Sequence, residues 1–295
     1  MLHSKIKHFI HYCQVSNFSK RSIQTLSARL NEFNRFISSE SISDLSDISY
    51  KHLQEFVADF KSPSVHAKKS RVWTLHQFFH FLKLNHWIDD NIALGIPYPK
   101  MEKTVPQYLT PDEYNRLLSY FYQRAGSAFG LRNICLIMCF GFLGLRLQTI
   151  IFLDIEDIDL ESGLAAVKEK GGKKRTIVLP KALSEVLELY LVNLGKESGP
   201  LFLSKRNKKI HERTLRDIFR SAADHLGIEK RLHAHLFRHT AATHLNKVAG
   251  VDITQFVLGH SQRANTVKYT HLNPDEYALY MRKHPFMNYK DKDRK

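Results

Sequence analysis

The segment HAHLFRHTAATHL, residues 233–245, places four histidines and one arginine within thirteen positions of a helix-forming run. His235 and His239 are four residues apart and would share one helix face, a spacing by which two histidines can bind zinc. Zinc hydrolases of this kind carry a glutamate directly after the first histidine as their general base, and this chain has Leu236 there. The crowded histidines therefore need another explanation.

Three other segments carry residues suited to chemistry on a phosphodiester: GFLGLR, KEKGGKKR and LGHSQRANTVKYTH. Their arginines suit the nonbridging oxygens, because a guanidinium group binds two oxygens at once and keeps its charge. A tyrosine phenol can attack phosphorus when cationic surroundings or a base help to remove its proton. A lysine beside glycines can reach the leaving oxygen and protonate it.

In this chain order the segments resemble the tyrosine site-specific recombinases, the family of phage integrases and Xer chromosome-resolution enzymes. The LGH sequence and the nine-residue step from His260 to Tyr269 carry much of the resemblance, which extends over nearly the whole chain. It implies that Tyr269 is the nucleophile, and that Arg146 and Arg238 hold the scissile phosphate. These enzymes need no cofactor or metal ion, so none is expected here.

The resemblance also implies that Lys170 is the general acid, and that His235 and His260 fill the two remaining active-site positions. His235 and Arg238 are three residues apart, so both can face one phosphate from the same helix. Lys173 is the rival for the general acid, because the hairpin reads KEKGG where the family commonly has GKG.

A second departure from the family pattern follows Arg146. The family usually reads GLRxSEL, with an acidic residue three positions after the arginine, whereas this chain reads GLRLQTI and has Thr149 there. In the family that carboxylate orients active-site groups. Its replacement puts the efficiency of catalysis in question.

The rest of the chain predicts a mainly α-helical protein with a small β-sheet. Apolar residues recur at steps of three and four over residues 23–37, 53–60 and 72–82, as in a small helical bundle. The segment KSPSVHAKKSR contributes five basic residues near a helix start, which would form a basic edge. Two β-prone runs around Gly171 and Gly172 predict a hairpin.

The prolines of ALGIPYPKMEKTVPQYL prevent a continuous helix and favour an extended connection. After it, Thr110, Pro111 and Glu113 form a capping-box pattern. We therefore expect a helical, SAM-like core-binding domain at residues 1–92, a linker at 93–108, an α+β recombinase catalytic domain at 109–281 and a basic tail at 282–295.

The composition favours a polyanionic partner. The chain has 44 Lys and Arg against 29 Asp and Glu, a net charge of +15, and no apolar run approaches the roughly 20 residues of a membrane span. With the resemblance, this implies double-stranded DNA carrying inverted repeats, bound by a homotetramer or by a heterotetramer with a second recombinase. No signal-peptide pattern opens the chain, so we expect a cytoplasmic, nucleoid-associated bacterial protein. Cys135 and Cys139 are expected to be buried thiols.

Three alternatives remain open at this point. Thr149 favours a sequence-specific DNA-binding protein on the same fold with weakened or lost catalysis. A metal-dependent nuclease would use the histidine cluster, but grouped carboxylates are missing from its neighbourhood in the sequence. A type IB topoisomerase would use similar chemistry without a partner site.

Overall fold

The computed structural model of the chain describes residues 2–101, 107–169, 172 and 174–259. Its contacts divide the chain into two compact units, Met1–Thr104 and Val105–Lys295. Each unit has its own hydrophobic core. Among the described helices, none combines the length and the apolar character that a membrane crossing requires.

The described part of the first unit is helical. It contains α1 (Leu2–Val15), α2 (Lys20–Ser39), α3 (Tyr50–Ala58), α4 (Val65–Leu84) and a 3-10 helix at Ile92–Gly95. Helices α2, α3 and α4 begin after serines whose side-chain oxygens accept backbone N–H groups of the first turn, namely Ser19, Ser49 and Ser64. The apolar stripes predicted from the sequence fill the core, as expected for helices that bury one face.

One member of the expected basic edge is buried instead. Arg71 on α4 is 1% exposed, and its guanidinium group donates to Glu32 at 2.8 Å and to the carbonyl oxygens of Phe56 and Phe60. These partners compensate the buried charge, which explains why this arginine lies inside the bundle. The expectation that all five basic residues of this segment lie on an edge was wrong for Arg71.

The second unit is mixed. In chain order its described elements are α5 (Pro111–Tyr122), α6 (Ala128–Gly141), α7 (Leu147–Ile151), a 3-10 helix (Ile155–Asp157), β1 (Ile158–Asp159), β2 (Leu164–Lys168), β3 (Lys174–Val178), α8 (Lys181–Leu194), α9 (Glu212–Leu226) and α10 (Ala234–Leu258). Helix α10 has a break at Gly250, where φ is +79°. The predicted fold class, mainly α with a small sheet, is confirmed.

Local patterns in the sequence explain how two of these helices begin and pack. Thr110 and Glu113 form the predicted capping box at the start of α5, with Pro111 in the first turn. Helix α6 is buried along most of its length, and the thiols of its residues Cys135 and Cys139 are buried, as predicted. Burial raises the pKa of Cys139 to about 12, so this thiol stays protonated and packs as a small hydrophobic group.

The predicted hairpin is present as the antiparallel pair β2 and β3, in which Val167 pairs with Arg175. The amide of Gly172 donates to the carbonyl oxygen of Glu169 at 3.1 Å, in the turn between the strands. A short third strand, β1, pairs with the other edge of β2. It was not predicted, because its two residues carry too short a pattern.

Candidate active site

Arg146 lies at the start of α7, where it is the N-cap residue. A cation at this end of a helix is disfavoured by the helix dipole, so a simple dipole interaction does not explain the arginine. Its guanidinium group instead pairs with the carboxylate of Glu169 and donates to the carbonyl oxygen of Gly259 at 2.9 Å. The side chain keeps 31% of its surface exposed.

Arg238 reaches the same place from α10. It is buried, and it donates to the carbonyl oxygens of Gly144 at 2.8 Å and Leu258 at 2.7 Å. Burial, together with the positive charges of Arg146 and Arg175, lowers the pKa of Arg238 to about 10. The group therefore remains a cation at neutral pH.

The two arginines share a backbone frame. Arg238 and Arg146 bind the consecutive carbonyl oxygens of Leu258 and Gly259, at the end of α10. Arg238 also binds the carbonyl of Gly144, two residues before Arg146 in the chain. The frame thus brings together the two arginines that the sequence assigned to the phosphate, although they come from different helices.

Glu169 and Arg175 complete this cluster, and the sequence did not identify either as a site residue. The Glu169 carboxylate accepts from Arg146 with one oxygen and from the Arg175 Nε at 3.0 Å with the other. A Cβ at Gly259 would lie 2.9 Å from the Arg175 Nε and 3.0 Å from the Glu169 carboxylate, so glycine permits the close approach. The available signal was the segment KEKGG, which departs from the GKG that is common in the family.

Thr149, the residue in place of the family's carboxylate, is buried. Its hydroxyl donates to the carbonyl oxygen of Lys168 at 3.3 Å, one residue before Glu169 in the chain. The side chain at position 149 thus points to the end of β2, where the Glu169 carboxylate meets Arg146.

The histidines of the opening segment have different environments. His235 is exposed in the first turn of α10, one turn before Arg238. His233 caps the same helix by accepting the amide of Leu236. His244 is buried and its Nε2–H donates to the carbonyl oxygen of Leu109 at 2.8 Å.

No group of three or more His, Cys, Asp or Glu side chains in the described ranges is arranged to hold a metal ion.

Lys170, His260 and Tyr269 lie outside the described residues. The described chain nevertheless reaches Arg146 at Glu169 and at Gly259, the residues that directly precede Lys170 and His260 in the sequence. Arg146 thus contacts the residue before Lys170 and the residue before His260. His235 and Arg238 enter from the same helix.

Both compact units of the chain match models of known protein families. The model of the Phage integrase family matches residues 107–276, and that of the Phage integrase, N-terminal SAM-like domain matches residues 6–86. A tyrosine recombinase of Pseudothermotoga lettingae is 30% identical over 80% of this chain and 82% of its own length. Tyrosine recombinase XerC of Bacillus licheniformis is 29% identical over 94% of this chain and 95% of its own length.

Solved structures show the same fold. A lambda integrase dimer bound to a COC′ core site matches with a TM-score of 0.72 at 18% identity, covering 89% of this chain and 96% of the integrase chain. The XerH site-specific recombinase bound to a difH substrate matches with a TM-score of 0.68 at 24% identity, covering 86% and 76%. The family match spans more than half of the chain and includes both predicted arginines. The chain therefore belongs to the phage integrase family of tyrosine recombinases, as its sequence predicted.

Proposed function

We propose that this protein is a site-specific DNA recombinase that cuts and rejoins strands through a covalent 3′-phosphotyrosine at Tyr269. The observation that carries the proposal is the shared frame in which Arg146 and Arg238 bind the consecutive carbonyls of Leu258 and Gly259. Two guanidinium groups fixed in this way can stabilise charge on the two nonbridging oxygens of one phosphate. The net charge of +15 supports a DNA partner.

In the proposed reaction the Tyr269 phenol oxygen attacks phosphorus, and the bond to the 5′ oxygen of the next nucleotide breaks. A nearby base takes the phenol proton, and Lys170 gives a proton to the leaving 5′ oxygen. Arg146 and Arg238 stabilise the five-coordinate transition state, with His235 and His260 as further phosphate contacts. The phosphotyrosine bond retains the energy of the broken one, so the 5′ hydroxyl of a second strand can reverse the step without ATP.

The relatives support the proposed partners. Lambda integrase has been solved as a dimer on a COC′ core site and as a tetramer on a Holliday junction, and XerH has been solved on difH. We propose that this chain binds double-stranded DNA with inverted repeats and acts as a tetramer, either of identical subunits or with a second recombinase. The bacterial relatives are consistent with action on DNA in the bacterial cytoplasm, at the nucleoid.

We further propose that residues 1–92 bind the core site, that 93–108 link the domains, that 109–281 form the catalytic domain and that 282–295 are a basic tail. The division into two compact units near residue 104 is compatible with a linker there. The alternative, a DNA-binding protein with lost catalysis, rested on Thr149, and no other feature favours it.

The test uses a duplex that the protein itself selects from a random-sequence pool, prepared with a nick next to the cleavage site and incubated in EDTA. We expect a covalent protein–DNA adduct on a denaturing gel. Tyr269→Phe should retain binding and lose the adduct. An adduct that persists in Tyr269→Phe, or that forms only with added metal, would contradict the proposed mechanism.

A further inference from the structure

The chain departs from the family pattern at two positions that are far apart in sequence. Thr149 stands where the family pattern GLRxSEL has a carboxylate, and Glu169 belongs to the hairpin segment KEKGG, which takes the place of the common GKG. One departure removes a carboxylate and the other adds one. In the structure the Glu169 carboxylate pairs with Arg146, and the Thr149 hydroxyl donates to the carbonyl oxygen of Lys168, the residue directly before Glu169.

The contacts of Glu169 are those of a group that orients arginines. Its side chain is only 12% exposed, and its two oxygens bind two different guanidinium groups, those of Arg146 and Arg175. Exposed ion pairs contribute little, because water screens them and both side chains stay mobile. A shielded carboxylate that bridges two arginines restricts the rotamers of both.

Position 149 faces the same point. Thr149 is 5% exposed, and its hydroxyl donates to the carbonyl of Lys168, directly before Glu169. A longer acidic side chain at position 149 would extend towards the end of β2, where Glu169 now meets Arg146. A carboxylate directed towards Arg146 could therefore be carried either by position 149 or by position 169.

The arginines need such a group. The positive charges of Arg146 and Arg175 both lower the pKa of Arg238, and the negative charge of Glu169 raises it. Without a carboxylate these cations repel one another before DNA arrives. A guanidinium group that is held in its bound orientation loses less conformational entropy when it takes the phosphate.

We propose that Glu169 is a positioning residue, which holds Arg146 towards the scissile phosphate and replaces the carboxylate that this chain lacks at position 149. The inference rests on the proposed recombinase function. Glu169 does not touch the reacting atoms in this role and acts through Arg146. Two other roles of Glu169 make different predictions. In one, Glu169 supports the neighbouring Lys170; in the other, its carboxylate occupies the phosphate site and blocks it.

The experiment measures single-turnover cleavage of the selected nicked duplex by the full chain. Glu169→Gln keeps the size of the side chain and removes its charge. We expect cleavage to slow about 10- to 100-fold, the usual range for loss of a group that orients another, while DNA affinity changes much less. Glu161→Gln, at an exposed glutamate of the turn before β2, is the matched control and should cleave at the wild-type rate.

Moving the carboxylate gives the sharper test. The double variant Thr149→Glu with Glu169→Gln should recover most of the lost rate, which a merely structural role of Glu169 would not produce. Thermal unfolding of each variant, measured in parallel, identifies one that fails to fold. The double variant also keeps the inference falsifiable if Glu169→Gln alone is unstable.

A substrate with sulfur in place of the leaving 5′ oxygen distinguishes an effect of Glu169 on Arg146 from an effect on Lys170, because a thiolate leaves without a proton. We expect the Glu169→Gln defect to persist on this substrate. Rescue by sulfur, faster cleavage by Glu169→Gln, or an unchanged rate would each overturn the inference while leaving the proposed function intact. If the wild-type protein forms no adduct at all, the proposed function fails, and the inference falls with it.

Discussion

The buried guanidinium group of Arg238 donates a 2.8 Å hydrogen bond to the backbone carbonyl oxygen of Gly144, a residue 94 positions earlier in the chain. Gly144 has a φ of +57°, a conformation that favours glycine. A Cβ there would lie 2.4 Å from Leu258 Cδ2 and 3.1 Å from Ala241 Cβ. The carbonyl oxygens of Gly144 and Leu258 both accept hydrogen bonds from Arg238, so this crowded contact involves the two residues that hold the Arg238 side chain.

Gly144→Ala should therefore damage catalysis as well as stability. The left-handed backbone costs an alanine about 1–2 kcal/mol, and the overpacked contact adds roughly 1–3 kcal/mol. Gly195→Ala is the matched control, since its φ is +62° and nothing lies within 4 Å of its Cβ. Chemical denaturation and the cleavage assay should show the backbone cost alone in Gly195→Ala, and a larger stability loss with slower cleavage in Gly144→Ala. Equal losses in the two variants would contradict this account.

Arg146 and Arg238 should differ in how their loss affects the protein. Removing either should slow cleavage about 100- to 1,000-fold, as for one pre-organised oxyanion donor, with a much smaller effect on DNA affinity because many other phosphate contacts remain. Arg238→Ala should also lower the unfolding temperature, because it leaves two buried carbonyls without their donor. Arg146→Ala should do so less, since its side chain is partly exposed.

Arg220→Ala on α9 serves as the control for loss of one positive charge, since its side chain is 72% exposed. It should cleave at nearly the wild-type rate. If Arg146→Ala lowers DNA affinity and the cleavage rate by equal factors, Arg146 is an ordinary contact to the DNA phosphate backbone rather than a stabiliser of the transition state.

The general acid can be assigned with the sulfur substrate. Lys170 directly follows Glu169, which binds Arg146, whereas Lys173 directly precedes the paired strand β3. We expect Lys170→Ala to cleave the ordinary duplex slowly and the duplex with a bridging 5′ sulfur at nearly the wild-type rate, because a thiolate leaves without a proton. Lys173→Ala should show no such rescue. Rescue of Lys173→Ala instead would move the role three residues along the hairpin.

The sequence predicted what depends on local patterns. The capping box at Thr110, the hairpin and the apolar stripes follow from residues within one or two turns of each other. The family pattern singled out Arg146 and Arg238, and the structure brings these two side chains to adjacent carbonyl oxygens. It did not predict that Glu169 would bind Arg146, 23 residues away, because that pairing depends on how the end of β2 packs against the start of α7. The burial of Arg71 was missed for the same reason, as Glu32 lies 39 residues away.

The ion pair between Glu32 and Arg71 should stabilise the first unit far more than an exposed pair does. Glu32→Gln leaves the buried guanidinium group of Arg71 without its countercharge, a change that typically costs about 3–5 kcal/mol. The control is Glu55→Gln, which breaks an exposed pair with Lys51 and should cost under about 1 kcal/mol.

Tryptophan fluorescence reports on this unit directly, because the chain's 2 tryptophans, Trp73 and Trp87, both lie in it. The denaturation midpoint measured by fluorescence should fall strongly in Glu32→Gln and little in Glu55→Gln. Similar midpoints in the two variants would show that the carbonyls of Phe56 and Phe60 are sufficient partners for Arg71.

His244 should make the second unit sensitive to acid. It lies in α10, where burial and the nearby Lys247 lower its pKa, although the hydrogen bond to the Leu109 carbonyl acts in the opposite direction. With the pKa lower in the folded than in the unfolded chain, the unfolded chain binds more protons as the pH falls through about 6.5, the ordinary value. The contribution of His244 to stability is therefore present at higher pH and is lost between that value and the lower pKa of the folded protein.

His244→Gln tests this, because glutamine can keep a donor towards the Leu109 carbonyl and does not titrate. We expect the wild-type unfolding temperature to fall more steeply than that of His244→Gln between about pH 7.5 and about pH 5.5, a window on both sides of the ordinary histidine pKa. His80→Gln makes the same replacement at an exposed position of the first unit and should follow the wild-type curve. Because Leu109 is also bound through its amide to Thr240, the start of α5 stays attached to α10 in every variant, so a difference in slope reports on His244 itself. Parallel curves for wild type and His244→Gln would show that protonation of His244 does not destabilise the fold.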